Sequence, residues 1–297
     1  MTIWQPDPDE TLVARCGVSF ATGAATPVSG MRWFRDTERR DIQNQLPDWP
    51  DGPHFTVRTK GERRLRQGGK FGAGLLAVAV LGVLESLAGS GSTGNVARLK
   101  DPEEPENEVQ DFPVVWAAPG TLARTLPWQL DPGRRPKEYH THLVATDRRI
   151  LLLGLLEESD TPEDEVLWET QRSNVATTQR MKFSRYQTDF KLVFSDGSWC
   201  RLAGWNTNCR DDVTRALTPP LTLVTTGGLT PGQQEAITKF LARQETPGKL
   251  LITRRPSGNL LAEYLKTTRV AASYGIGGDF LLMGPHDENF TYTPGDI

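Results

Sequence analysis

Residues 190–202, with the sequence FKLVFSDGSWCRL, decide the fold of the central part of the chain. Aromatic and aliphatic residues alternate on both sides of the dipeptide Asp196-Gly197. Such a dipeptide supplies the positive φ angles that a tight hairpin turn requires. We therefore predict two antiparallel strands joined by a two-residue turn, with Phe194 opposite Trp199 and the large side chains buried.

A second strand-turn-strand signal precedes this hairpin. Residues 139–145 and 150–153 are rich in Leu, Ile and Val, and the polar tetrapeptide 146–149 separates them. An Asp early in such a tetrapeptide is typical of a tight turn, because its side chain bonds the nearby backbone. Two consecutive hairpins of this kind are expected to curl into a small β-barrel.

An amphipathic helix is predicted directly after the second hairpin, over residues 208–217. Its apolar residues fall on one helical face, and Asn208 can cap its N-terminus. Asp211 and Asp212 are then expected in the first turn, where the helix dipole favours negative charge. The pair of prolines at 219–220 ends the helix.

Several antiparallel strands followed by one amphipathic helix resemble a pleckstrin-homology-like (PH-like) domain of the bacterial type. The resemblance rests on the turn and strand at 146–151, the hairpin at 192–197 and the closing helix, and it covers about residues 112–221. It implies an α+β fold in which an antiparallel β-barrel is closed by an amphipathic helix, with additional N- and C-terminal strand and helix segments. It also implies a recognition scaffold, although a fold describes an activity poorly.

Composition divides the chain into four expected parts. These are an N-terminal strand-rich segment (1–67), a basic and apolar Gly-rich helix followed by an acidic flexible linker (68–111), the PH-like domain (112–222), and a C-terminal extension of one helix and several strands (223–297). In the last part, Thr230 and Pro231 form a good cap and first-turn pair for a helix that runs to about Arg243.

The most unusual composition lies where a basic stretch leads directly into an apolar one. Phe71 begins a run of 14 apolar or Gly residues, which is shorter than the ~20 needed to span a bilayer. A helix packed against the barrel, a membrane-surface helix and a true span all remain open. The candidate contacts with an anionic membrane surface are the basic residues and the first large apolar residues of this stretch: Arg63, Arg64, Arg66, Lys70, Phe71, Leu75 and Leu76.

A second basic group precedes the first hairpin. In PH-like families that bind phosphoinositides, basic residues in an early strand-strand loop hold the head group. The resemblance therefore makes Arg134, Arg135 and Lys137 candidate ligands of an anion. The alternative is an ordinary solvated loop.

No residue pattern identifies a metal or an organic cofactor. His140 and His142 share one face of a strand, but no Cys, Asp or Glu accompanies them at ligand spacing, so we interpret them as ordinary barrel residues. Cys200 and Cys209 are expected to be buried thiols. No nucleotide fingerprint and no Ser, His and acid grouping is recognisable.

Net charge and cysteine content indicate which partners and which cell compartment to expect. A formal net charge of −3 argues against nucleic acid as a partner. The odd number of scattered cysteines, including Cys16, favours a reducing compartment, and the N-terminus lacks the features of a signal peptide. We expect a cytoplasmic protein, with peripheral association at the inner face of the membrane as a hypothesis.

Two functional hypotheses from different classes follow. The first is a non-enzymatic binding or scaffold module, in which the PH-like barrel recognises a protein partner or an anionic membrane surface. The second is an enzyme whose active site is assembled from scattered residues that form no recognisable motif. A pocket with converging titratable side chains favours the enzyme, and a shallow barrel favours the module. No residue pattern indicates an oligomeric state.

Overall fold

The computed structural model describes residues 4–22, 34–51, 113–156, 164–181, 186–218, 220–266, 279–287 and 289–293, together with Asp296. Over these residues the protein is a mixed α+β fold. A curled, largely antiparallel sheet forms a half-barrel, and a smaller sheet packs beside it. Two α-helices lie within the described residues.

The larger sheet contains nine strands. They are β1 (Leu12–Phe20), β2 (Phe34–Arg35), β3 (Val115–Trp116), β4 (Tyr139–Thr146), β5 (Arg149–Leu156), β6 (Glu165–Gln171), β7 (Val175–Arg180), β8 (Asp189–Phe194) and β9 (Trp199–Gly204). Seven of them follow one another in the order β2-β3-β9-β1-β4-β5-β6. The remaining two branch from β9, because β8 pairs with both β9 and β7.

Strand β1 holds the two halves of this sheet together. Its first part pairs with β4 over residues 12–17, and its last part pairs with β9 over residues 18–20. The change of partner occurs at Gly17, where an added Cβ atom would lie 2.5 Å from the ring of Trp205. A glycine is therefore required where the strand passes from one half to the other. The N-terminal strand is thus a central strand of the sheet, between β4 and β9.

The β8–β9 hairpin forms as predicted, but its turn and register differ. Phe194 donates its N–H to the carbonyl of Ser198 at 2.8 Å, so the loop has three residues and not two. Gly197 has a φ of +83°, and Asp196 is not among the residues with positive φ. Trp199 consequently lies opposite Val193 and not opposite Phe194. The predicted burial is confirmed for the large side chains of the hairpin, namely Phe190, Leu192, Phe194, Trp199 and Leu202.

Helix α1 (Thr207–Leu217) closes the half-barrel. Its N-cap is Asn206, whose side chain accepts the N–H of Cys209 at 2.8 Å, so the predicted cap at Asn208 is wrong by two residues. No acidic residue lies in the first turn, because Asp211 and Asp212 fall in the second. From this position Asp211 contacts Arg180 on β7, and Asp212 contacts Arg215 one turn further along the helix.

A disulfide bond joins Cys16 on β1 to Cys209 in the first turn of α1, with 5.4 Å between the Cα atoms. Both residues are fully buried. Cys200 is a buried free thiol, as predicted. The expectation of a thiol at Cys209 is wrong, and the cysteine count no longer favours a reducing compartment.

The smaller sheet has four antiparallel strands in the order β10-β11-β12-β13. They are β10 (Thr222–Leu223), β11 (Gly248–Arg254), β12 (Leu260–Lys266) and β13 (Phe280–Met283). Helix α2 (Pro231–Leu241) packs on one face through Ile237. The other face contributes Leu251 and Leu265 to the core of the half-barrel. The two sheets therefore share buried apolar contacts.

No helix among the described residues is long and apolar enough to cross a membrane. The segment 68–111, on which the three alternatives for the apolar run depend, lies outside the described residues.

Candidate functional site

A cavity of about 290 Å³ lies where the smaller sheet meets the half-barrel. One wall consists of β1, the end of β7 and one face of α1. The other wall consists of the side chains of β11, β12 and β13 that face the half-barrel. These elements come from distant parts of the chain, so the cavity exists only because the two sheets pack together.

Arg215 on α1 connects the helix to the smaller sheet. Its Nη2 atom contacts Oδ1 of Asp212 at 2.6 Å and Oε1 of Glu263 on β12 at 2.5 Å. Because one nitrogen contacts both carboxylates, Asp212 and Glu263 are held side by side. All three side chains are mostly buried, so the two ion pairs are less screened by solvent than surface pairs are.

Burial raises the pKa of Asp212 to about 6, from an ordinary value of 3.8. Arg215 acts against this shift, whereas Glu263 and Asp211 add to it. The carboxylate therefore carries a charge at neutral pH that the surrounding protein does not fully compensate. Such a group at a cavity wall is a candidate functional residue.

Replacing Asp212 by asparagine is expected to flatten the pH dependence of stability between about pH 7 and pH 4. The folded protein binds a proton at Asp212 more readily than the unfolded chain does, so stability should rise as the pH falls through 6. The shift destabilises the folded protein at pH 7 by roughly 3 kcal/mol, and this loss is relieved as the pH falls. Urea unfolding of the wild type and of Asp212→Asn across this range measures it. Parallel pH profiles for the two proteins would contradict the shifted pKa.

The cavity has a second charged group at the end of β7. Arg180 contacts Oδ1 of Asp211 at 3.1 Å, and Arg210 contacts the same oxygen at 2.7 Å. Two guanidinium groups thus share one carboxylate at this end. Around Arg215 the reverse holds, since two carboxylates share one guanidinium group. The end near Arg180 is therefore more positive than the group formed by Arg215, Asp212 and Glu263. Arg255 also lines the cavity and adds a positive charge near Glu263.

Thr253 on β11 also lines the cavity, and its exposed fraction is only 3%. Its hydroxyl oxygen, Oγ1, makes no hydrogen bond with any residue that the structure describes. A buried hydroxyl without a partner costs free energy, typically about 1 to 3 kcal/mol. An unpaired group of this kind at a cavity wall is a ready partner for a molecule inside the cavity.

The candidate anion loop has a different arrangement from the predicted one. The side chain of Arg134 is 1% exposed and contacts the buried carboxylate of Asp131. Its guanidinium group also lies over the rings of Phe34 and Trp49, at 5.6 and 5.0 Å from the ring centroids. In this position Arg134 supports the packing of the half-barrel and does not face an external anion.

Arg135 also makes internal contacts. Its Nη1 atom donates to the carbonyl of Gln129 at 2.9 Å and to Oγ1 of Thr141 at 2.5 Å. Burial lowers the pKa of Arg135 to about 10, while Asp131 acts to raise it. Lys137 is the member of the predicted trio whose position is exposed.

The two histidines on β4 contact other side chains. His142 is buried, and its Nδ1 atom accepts a hydrogen bond from Nε of Arg15 at 3.1 Å. His140 and His142 both lie edge-on to the ring of Trp205. Within the described part of the chain, no group of three His, Cys, Asp or Glu side chains could hold a metal ion.

The predicted membrane-surface residues lie outside the described residues. They are Arg63, Arg64, Arg66, Lys70, Phe71, Leu75 and Leu76, and their role stays a prediction.

Sequence reasoning missed the cavity residues Asp212, Arg215, Glu263 and Thr253. A local signal exists for Glu263, because it alternates with Leu261 and Leu265 on one face of a strand. A charged residue on an otherwise apolar strand face indicates a buried polar contact. The partner of that contact is 48 residues away, so the strand pattern alone does not identify it.

A scan against protein-family models finds no match, and searches of curated proteins and of solved structures likewise find none.

Proposed function

We propose that this protein is a non-enzymatic binding module with a PH-like barrel, and that it recognises a protein partner by binding an extended peptide along β7. Seven antiparallel strands, β1 and β4 to β9, are followed by the closing helix α1, which supports the PH-like interpretation. On this interpretation the module begins at Leu12, earlier than the stretch that the sequence resemblance covers. Residues 21–138 are then an insertion after its first strand.

The observation that carries the proposal is the outer edge of β7. Among the described residues, β7 pairs only with β8. Met181 donates its N–H to the carbonyl of Asp189 at 2.9 Å. Because hydrogen-bonded pairs alternate in an antiparallel ladder, the N–H and C=O groups of Thr178 and Arg180 point away from β8. Unpaired main-chain N–H and C=O groups on a strand edge can form hydrogen bonds with another strand.

The side chains beside this edge suit a peptide ligand. Thr178 donates from Oγ1 to the carbonyl of Thr214 on α1, and Arg180 pairs with Asp211 on the same helix. The edge of β7 therefore lies next to α1, whose side chains would contact a peptide bound along this edge. Addition of a strand provides affinity through main-chain hydrogen bonds, and the neighbouring wall provides side-chain specificity.

The proposal predicts that folded protein selects linear peptides from a random library displayed on phage with free amino termini. Hydrogen exchange with a selected synthetic peptide should slow the amides of Thr178 and Arg180. Thr178→Pro removes one outward N–H group, and proline is tolerated on edge strands, so this variant should bind at least about tenfold more weakly. Thr178→Ala is the matched control, because it removes the hydroxyl and keeps the N–H group.

Three results would contradict the proposal: a library from which no peptide is selected, protection that maps away from β7, or equal binding by wild type and Thr178→Pro. Circular dichroism checks that the proline variant is folded. If it is not, Arg180→Pro tests the other outward N–H group, and the exchange experiment on wild type needs no variant.

The enzyme hypothesis is the second candidate, and one observation favours it. Asp212 has a pKa of about 6 at the wall of a cavity, which suits a general acid. The same carboxylate and that of Glu263 both contact Arg215, as in a structural ion pair. Turnover of a substrate that is lost in Asp212→Asn, while peptide binding at β7 is retained, would favour the enzyme.

A further inference from the structure

We infer that the cavity between α1 and the smaller sheet binds a protonated primary amine, the free N-terminal ammonium group of the peptide that pairs with β7. This inference rests on the proposed function and identifies which end of the peptide is recognised. Four observations support it: the position of the cavity, its unused hydrogen-bond acceptors, its distribution of charge, and its volume.

The position of the cavity follows from the direction of β7. Arg180 is the last residue of β7, and it also lines the cavity. A peptide that pairs antiparallel with β7 has its N-terminal end beside Arg180, because the two chains run in opposite directions. The first residue of such a peptide would therefore enter the cavity. Phe280 lies on the opposite wall and is half exposed, so it can cover the first side chain.

The unused acceptors match the donors of an ammonium group. Oδ1 of Asp212 and Oε1 of Glu263 are occupied by Arg215. These hydrogen bonds use one oxygen of each carboxylate. Oγ1 of Thr253 has no hydrogen-bond partner among the described residues. An ammonium group has three N–H donors and no acceptor. Two carboxylate oxygens and one hydroxyl oxygen can accept all three.

The charge of the trio formed by Asp212, Glu263 and Arg215 favours a cation. Asp212 and Glu263 share the single positive charge of Arg215, so the trio carries a net negative charge while both acids are ionised. Arg255 also lines the cavity; Arg215 repels its positive charge, and Glu263 and Asp296 attract it. Burial raises the pKa of Asp212, and the neighbouring carboxylates of Glu263 and Asp211 add to this shift. A bound ammonium group would supply that charge.

The volume is sufficient for one terminal residue. About 290 Å³ is just below the usual range for small-molecule sites, and a single amino-acid residue occupies less than this. The walls contain both polar groups and apolar side chains, including Leu221 and Leu265. The polar acceptors can therefore bind the ammonium group while the apolar side chains contact the first side chain of the peptide.

The test compares one selected peptide with a free N-terminus and the same peptide with an acetylated N-terminus, by isothermal titration calorimetry at pH 7. Acetylation removes the positive charge and two of the three donors, and it is expected to weaken binding at least about tenfold. Glu263→Gln keeps the size of the side chain and should weaken binding of the free peptide only. Glu235→Gln, an exposed change on α2, is the matched control and should have no effect.

Thr253→Val separates a ligand contact from a structural role. The substitution removes a buried hydroxyl that has no described partner, so the unfolding midpoint should stay the same or rise. Binding of the free peptide should nevertheless fall several-fold, and binding of the acetylated peptide should not change. A merely structural threonine would not produce this combination.

The outcomes distinguish the inference from the proposed function. Equal binding of the free and acetylated peptides, with β7 still protected from exchange, overturns the inference and leaves the proposed function intact. The inference is also overturned if amidation of the peptide's C-terminus weakens binding and acetylation of its N-terminus does not. The peptide would then run parallel to β7. Binding of neither peptide, with no protection of β7, overturns the proposed function itself.

Discussion

Replacing Arg134 by methionine is expected to lower the free energy of unfolding by about 3 to 5 kcal/mol. The substitution leaves the carboxylate of Asp131 buried without its cationic partner, since the side chain of Asp131 is only 4% exposed. Burial already raises the pKa of Asp131, with Arg134 and the N–H of Gly133 acting to lower it. The variant also loses the contacts of the guanidinium group with Phe34 and Trp49.

Two further variants identify the cause. Lys137→Met changes an exposed residue of the same loop and should alter stability by less than about 0.5 kcal/mol. Asp131→Asn combined with Arg134→Met should recover part of the loss, because no uncompensated charge remains and the amide oxygen of the new side chain can still accept the N–H of Gly133. Guanidinium chloride unfolding measures all of these. A stability of Arg134→Met equal to that of Lys137→Met would restore Arg134 as an exposed candidate ligand of an anion.

Features that depend on a few neighbouring residues could be predicted from the sequence. Helix α2 begins at Pro231 after the predicted cap Thr230, and the side chain of Gln233 completes the capping box. Gly197 has the positive φ that its place in the turn requires. In both cases the deciding contacts lie within one turn of the chain, so the local sequence contains all the information.

The register of the β8–β9 hairpin was predicted wrongly because a distant residue takes part in its turn. Asp196 accepts the N–H of Ser198 at 2.9 Å, and its other oxygen accepts the N–H of Leu122 at 2.7 Å. Ser198 in turn accepts the N–H of Ala123 through its hydroxyl. These contacts favour the three-residue loop over the two-residue turn that Asp-Gly also allows. Leu122 is 74 residues away from Asp196, so the choice between the two loops is a tertiary effect.

The candidate site could not be predicted for the same reason. Arg215 and Glu263 are separated by 48 residues. Arg215 lies on α1, which covers the half-barrel, and Glu263 lies on β12 of the smaller sheet. Asp212 was interpreted as a residue that interacts with the helix dipole, because the N-cap was predicted two residues too late. The true cap at Asn206 moves Asp212 into the second turn, from which it reaches the cavity. An error of two residues at a helix end thus changed the interpretation of a functional candidate.

Removal of the bond between Cys16 and Cys209 is expected to cost about 4 to 5 kcal/mol of unfolding free energy. The bond closes a loop of 193 residues, and in the chain-entropy model the stabilisation grows with the length of the loop that is closed. It also fixes the first turn of α1 against the point where β1 passes from β4 to β9. Loss of the bond should therefore loosen the closing helix as well as lower global stability.

The measurement is urea unfolding of the wild type with and without reductant, beside a variant with both Cys16→Ala and Cys209→Ala. Reductant should lower the stability of the wild type and leave that of the double variant unchanged. Cys200→Ala is the matched control: this buried thiol has no disulfide partner, so the variant should keep the full response to reductant. In unfolded, non-reduced wild type a thiol reagent should detect one thiol, that of Cys200. Detection of three thiols would show that Cys16 and Cys209 are reduced. The double variant would then lose only the stability that the small cavities beside its two truncated side chains cost.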